Sequence, residues 1–217
     1  MSIEPEARVS TADAAAKKKR KLIKRASGVV SVFFVAVVAP VVVILVTRQG
    51  ATTTSAPSCD DPASLHLVRS ISAAADNYLT EPNNGEVHLP ALAIDRDPST
   101  AWVEDGQQKY GEGTTITFTF ATEADLQMIC VVNGYAKSAK TFTENARARV
   151  WSVHTRGPAV ESTLKDKPES DFDAYQKLRI TTGPTSTVAM TIEVVRPPTG
   201  TIRYSDTALS EVLFFAR

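Results

Sequence analysis

The chain has little of what covalent or metal catalysis needs. It holds three histidines, His66, His88 and His154, and two cysteines, Cys59 and Cys130, in 217 residues. No His-Glu-x-x-His, Gly-x-Ser-x-Gly, Cys-x-x-Cys or phosphate-loop pattern occurs, so a recognisable nucleophile with its base, a zinc site of ordinary spacing and a nucleotide cradle are all missing. A carboxylate pair for glycoside hydrolysis leaves no local signature, and that reading stays open. Net charge is missing too, since 24 Lys and Arg face 24 Asp and Glu, but the balance is uneven. Residues 1–48 carry nine bases against three acids, which leaves fifteen bases and twenty-one acids beyond. A phosphate backbone requires a basic face on the folded domain, and here the bases sit in a short tail, so nucleic acid is set aside as a partner.

What is present comes in distinct stretches. Residues 1–25 are polar and gather Lys17, Lys18, Lys19, Arg20, Lys21, Lys24 and Arg25, which reads as a disordered cytoplasmic tail. Residues 26–47 carry no charge and include ten valines. As a helix this run would extend about 33 Å, enough for a hydrocarbon core of about 30 Å. Valine favours strand in water, but in lipid every backbone group must be bonded internally, and Pro40 is tolerated there with a kink. The basic cluster precedes the run and only Arg48 follows it closely, which puts the N-terminus in the cytoplasm and the rest outside. A cleaved signal peptide is the competing reading, but no Ala-x-Ala site stands directly after Val46, so an uncleaved anchor at the plasma membrane is favoured.

Residues 48–62 are small and polar, a short flexible linker. Both cysteines lie beyond the apolar run. On an oxidising side they form a disulfide, and otherwise they are two free thiols. Further on the pattern alternates. Thr115-Ile116-Thr117-Phe118-Thr119-Phe120 is apolar at every second position, the mark of a half-buried antiparallel strand. The stretches 127–132, 148–154, 176–181, 188–195 and 209–215 also read as strands, separated by turn signals such as Gly157-Pro158, Gly183-Pro184 and Pro197-Pro198-Thr199-Gly200. The expectation is an all-β sandwich or jelly roll, with a short helix over residues 70–77 and core positions for Trp102 and Trp151.

One loop stands out. Ala93 to Glu104 reads Ala-Ile-Asp-Arg-Asp-Pro-Ser-Thr-Ala-Trp-Val-Glu, a turn rich in oxygen ligands that runs straight into a large apolar anchor. It is followed in order by Val132-Asn133-Gly134-Tyr135-Ala136-Lys137-Ser138, Asn145-Ala146-Arg147 and Tyr204-Ser205-Asp206-Thr207-Ala208-Leu209-Ser210-Glu211-Val212. The ordered set resembles the discoidin-like (galactose-binding-like) β-sandwich domains over residues 63–217. The branch it looks most like is the translocation domain of a streptococcal NAD glycohydrolase.

The resemblance implies a galactose-binding-like jelly-roll β-sandwich that binds and does not catalyse. It also implies a structural calcium held by the Leu92 carbonyl, the Asp95 carboxylate, the Asp97 carbonyl, Thr100 through hydroxyl and carbonyl, the Ser210 carbonyl and the Glu211 carboxylate. Arg96 stands where the family usually has glycine, so the alternative occupant is its own guanidinium, paired with Asp95 or Glu211. In sugar-binding modules an aromatic ring stacks on a pyranose while amide and guanidinium groups bond its hydroxyls. Tyr135, Asn133, Lys137, Asn145 and Arg147 fit those roles. They equally fit a plainer one, in which Asn133 and Arg147 hold their own loops and Tyr135 packs at the domain edge. Three functions follow: an envelope or surface carbohydrate binder tethered to the membrane, a protein-interaction domain of an export or envelope assembly, or a hydrolase with an unrecognised carboxylate pair.

Overall fold

The computed structural model describes residues 56–106 and 109–217. The basic tail, the apolar run at 26–47 and residues 48–55 of the linker lie outside the described residues. Among the described residues no helix is long and apolar enough to cross a membrane.

Nine strands form the domain: β1 (His66–Leu67), β2 (Ile71–Ala75), β3 (Trp102–Val103), β4 (Thr115–Asn133), β5 (Arg147–His154), β6 (Val160–Thr163), β7 (Gln176–Lys177), β8 (Gly183–Arg196) and β9 (Ala208–Ala216). One helical segment, α1 (Ala139–Glu144), joins β4 to β5. Every strand pairing is antiparallel, along the path β1-β9-β4-β8-β5-β6, with β2 and β7 also on β4 and β3 on β9.

The 19-residue β4 organises the whole. Its first half pairs with β2 and β8, and its second half pairs with β9 and β7. The ladder to β8 slips between Thr119 and Ala124, where a bulge bends the strand so that its two halves serve two layers. Phe118 on the first half therefore meets Phe214 of β9 with ring centroids 5.0 Å apart, and Phe120 meets the same ring at 5.2 Å. Tilted and edge-to-face pairs of this kind add about 1 kcal/mol beyond the area they bury. The result is a sandwich whose core holds Ile116, Phe118, Trp151, Met190, Ile192 and Phe214. Truncating Phe214 to alanine would cost about 3 to 5 kcal/mol.

Alternation explains the first half of β4, with Ile116, Phe118 and Phe120 buried and threonines between them. The second half reads as a continuous apolar run because both of its faces are covered. Ile129 and Val131 point to the central core, while Met128 and Cys130 pack with Leu65, Leu67, Tyr175 and Phe215 on the outer face. Cys59 is bonded to Cys130 there, with Cα atoms 5.8 Å apart and a sequence separation of 71. Closing a loop of that length stabilises by roughly 4 kcal/mol in the chain-entropy account.

Two expectations need correction. Residues 70–77 are not helical, because Ile71, Ala73 and Ala75 take alternate half-buried positions on β2. The stretches at 115–120 and 127–132 are one strand, and the one at 176–181 shrinks to the two residues of β7. Both tryptophans are fully buried, with Trp102 Nε1 donating to the Asn77 carbonyl at 3.0 Å.

Candidate functional site

The loop at 89–100 is built by its own side chains. A 3-10 turn, Pro90–Ala93, leads into it. Asp95 Oδ1 accepts from the Asp97 amide at 2.9 Å, and Asp97 Oδ1 accepts from the Ser99 amide and hydroxyl at 2.9 and 2.6 Å. Those bonds from Ser99 hold the Asp97 carboxyl below the usual range. Thr100 Oγ1 lies 2.8 Å from Asp95 Oδ2, 2.9 Å from the Asp97 carbonyl and 3.5 Å from the Leu92 carbonyl. One hydroxyl carries one hydrogen, so it can satisfy only one of these three oxygens at a time.

Glu211 on β9 faces this loop and is fully buried. Its Oε1 accepts from the Val212 amide at 3.1 Å, and its Oε2 has no hydrogen-bond partner. Burial pushes its carboxyl up to about 7, with Asp95 adding to the rise and the Arg96 amide and guanidinium opposing it. Ser210 occupies a bulge, since Val132 pairs with Glu211 and Asn133 with Leu209, and its Oγ accepts from the Ala136 amide at 2.9 Å. The oxygens of Leu92, Asp95, Asp97 and Thr100 thus converge beside a buried carboxylate with a bare oxygen. That donor set fits a hard cation. Its acids number two, and among the described residues no three His, Cys, Asp or Glu side chains gather to hold a metal, so carbonyls would supply much of the coordination.

The guanidinium of Arg96 forms none of the ion pairs within 4.0 Å found among the described residues, but its charge acts on Glu211 and opposes the rise of that carboxyl. Arg96 has φ of +69°, the left-handed region that glycine adopts without strain. That conformation suits the glycine that the resemblance leads one to expect there.

The five proposed ligand contacts separate into two groups. Asn133 and Arg147 lie beneath the surface, 5 % and 4 % exposed. Asn133 Nδ2 donates to the Ala148 carbonyl at 2.8 Å, while Arg147 stacks on Phe142, donates Nη1 to the Phe142 carbonyl at 2.9 Å and reaches Asp166 at 3.2 Å. Gly134, at φ +111°, permits this: a Cβ there would stand 2.9 Å from Arg147 Cδ. Tyr135, Lys137 and Asn145 line a cleft of about 200 Å³ together with Glu81, Glu86, His88, Thr141, Glu144, Tyr204 and Asp206, although Asn145 is itself only 6 % exposed.

Local chemistry places each wall. A tight turn, closed by the Glu81 amide on the Glu86 carbonyl at 2.8 Å and with Gly85 at φ +72°, sets the two glutamates side by side. Ser138 and Thr141 form a reciprocal capping box that starts α1, and Asn145 ends it by donating Nδ2 to the Thr141 carbonyl at 2.9 Å. The Tyr204 amide donates to the Glu144 carbonyl at 2.9 Å, which ties the opposite wall to the same helix. His88 meets Tyr135 edge-on at 5.6 Å, and Lys137 Nζ stands 6.0 Å from the Tyr135 ring centre. Burial raises the Tyr135 hydroxyl, with Glu86 and Glu81 adding to the rise. Asp206 and Tyr204 stand in a motif that is visible in the sequence but assigns them no role, and nothing local marks Glu81 or Glu86.

A family model described as NAD glycohydrolase translocation F5/8 type C domain matches residues 67–215. No curated protein matches the chain. Among solved structures, the arabinofuranosyltransferase AftD from Mycobacteria is similar at 16 % identity and a TM-score of 0.52, over 74 % of this chain and 12 % of that one. CBM32-3 from a family 31 glycoside hydrolase of Clostridium perfringens is similar at 15 % identity and a TM-score of 0.50, over 70 % of this chain and 95 % of that one. The family 32 CBM of C. perfringens NanJ, solved with galactose, is similar at 12 % identity and a TM-score of 0.47, over 70 % and 98 %. The likeness to the first two is one of fold alone, a β-sandwich.

Proposed function

The chain belongs to the family of NAD glycohydrolase translocation F5/8 type C domains, and on that premise we propose that residues 63–217 are a non-catalytic ectodomain that binds cell-envelope or surface carbohydrate. The observation that carries this reading is the cleft walled by Tyr135 and Tyr204, with amide, hydroxyl and carboxylate groups around it. An aromatic face with a few convergent polar groups is what a pyranose ring requires of a pocket. Of the five candidate contacts, Tyr135, Lys137 and Asn145 meet the ligand, and Asn133 and Arg147 hold the loops that present them.

In this reading the apolar run at 26–47 anchors the domain, with the N-terminus in the cytoplasm. Protease added to intact cells should then digest the domain, and protection of residues 50–217 would sink the topology. Calcium supports the fold. The Leu92, Asp97 and Ser210 carbonyls, the Asp95 and Glu211 carboxylates and Thr100 would hold the ion, which supplies positive charge to oxygens otherwise crowded together and joins the loop to β9.

A glycan array probed with the full chain tests the binding function. Retention of specific glycans, lost in Tyr135→Ala, is the expected result, and a blank array would defeat it. The family description favours a second reading, a protein-interaction domain in a translocation assembly, which predicts a blank array and recovery of a defined protein complex after crosslinking in cells.

A further inference from the structure

The charge of the cleft is as distinctive as its shape. Four carboxylates, Glu81, Glu86, Glu144 and Asp206, line it against one ammonium, Lys137. Lys140 lies 3.9 Å from Glu144 and is itself largely exposed, while Glu81 has only His88 at 3.8 Å. Neither Glu86 nor Asp206 forms an ion pair among the described residues. Asp206 is raised by burial and then by the Glu81 charge, with the Ser205 hydroxyl and His88 opposing, and Glu86 and Glu81 both act on the Tyr135 hydroxyl, so these groups share one space. His88 lines the same cleft, is 3 % exposed, and its Nδ1 finds no partner. Its Nε2 lies 3.8 Å from Glu81, so the imidazole stands in the acidic wall of the cleft. Four carboxylates against one lining ammonium leave an excess of negative charge, which favours a bound cation.

Size and shape narrow the class. Pockets for drug-sized ligands run to about 300–1,000 Å³, so a cleft of about 200 Å³ accepts one ring at the end of a chain. Tyr135 and Tyr204 give it aromatic faces, which an inorganic ion would not use. We propose that the cleft takes a sugar residue carrying a free, protonated amine, a hexosamine without its N-acetyl group, with the ammonium among Glu81, Glu86 and Asp206 and the ring against Tyr135. This rests on the carbohydrate-binding function proposed above and names its substrate class.

Isothermal titration of the full chain in detergent micelles, at about pH 6 where an aliphatic amine is charged, compares the β-1,4-linked disaccharide of glucosamine with its fully N-acetylated counterpart. The expected result is a preference of at least about tenfold for the free amine. Glu86→Gln and Asp206→Asn should each shrink that preference, and Tyr135→Ala should weaken both sugars. Glu86 is exposed and its side chain supports no buried contact, so Glu86→Gln reports on binding without disturbing the fold. Equal or tighter binding of the acetylated sugar overturns the amine and leaves carbohydrate binding standing. Loss of both disaccharides beside neutral glycans bound on the array likewise overturns the amine alone, and a blank array removes both proposals. A lysine-containing peptide that binds through Glu86 where the disaccharides do not would overturn the sugar and reassign the cleft to protein.

Discussion

Glu104 and Glu211 are both fully buried carboxylates, and burial pushes both up to about 7. They differ in what their oxygens meet. Glu104 Oε1 accepts from the Thr207 amide at 2.7 Å and Oε2 from the Gly106 amide at 2.9 Å, while Glu211 leaves Oε2 bare. Gly111 packs so closely on Glu104 that a Cβ there would overlap its carboxyl. Glu104 is thus a finished latch between the end of β3 and the start of β9. Glu211 is a group with an open valence, facing Asp95 across a loop of convergent oxygens. Equal perturbation by burial does not mean equal surroundings: both Glu104 oxygens are bonded and one Glu211 oxygen is not, and the proposed calcium site rests on that difference.

The largest expected effect is shared. Each of these carboxyls is raised above its ordinary value of 4.5, so the native protein holds the proton more tightly than the unfolded chain does. Their stabilising contribution is complete below about pH 4.5 and is lost as pH rises through about 7, at a cost approaching roughly 3 kcal/mol for each group. In chelator, urea midpoints should fall from pH 5 to pH 8 by an amount matching about two such groups. A flat profile would mean that neither carboxyl is held as its burial implies.

Gly111→Ala tests the latch. The added methyl overlaps Glu104 and the position has φ of +80°, so a loss of about 3 kcal/mol is expected. A variant of native stability would show that Glu104 sits elsewhere. Calcium tests the open side. At a hundredfold excess over its dissociation constant a native-state ligand stabilises by about 2.7 kcal/mol, which should appear as a raised melting temperature and a shallower pH profile. Glu211→Gln should erase that response and Glu104→Gln should keep it; the reverse pattern would exchange the two roles. The smallest effect belongs to Arg96→Gly, which relieves a left-handed φ and removes a nearby cation. Stability should change by less than about 1 kcal/mol, while the response to calcium should strengthen.

Legibility followed pattern length. The alternation in Thr115–Phe120 and the turn signals gave away strands and a sandwich. Ser-Ala-Ala-Ala concealed β2, because alanine differs too little from serine for a period of two to show. Val160–Thr163 escaped because a single apolar residue sets no period, and the bulge that fuses the two halves of β4 is a property of pairing. The oxygen-rich loop was legible because its bonds are local, two to eight residues apart. The cleft was not, because Glu81, His88, Glu144 and Asp206 meet only through tertiary contact. Asn133 and Arg147 looked like ligand contacts by type, and their burial depends on how Gly134 turns the chain over them.

The bond between Cys59 and Cys130 decides where a mechanical load would enter the domain. Tension arriving along the chain that precedes Cys59 passes directly to the last third of β4, where Cys130 pairs with Leu213 and the load would have to shear the ladder with β9 as one unit. With the bond reduced, the same pull reaches β1 first, a short edge strand held to β9 from His66 to the Val68 amide, which can be unzipped one pair at a time. Oxidation therefore converts a peeling geometry into a shearing one, and single-molecule extension with and without reductant would register the change as a drop in unfolding force.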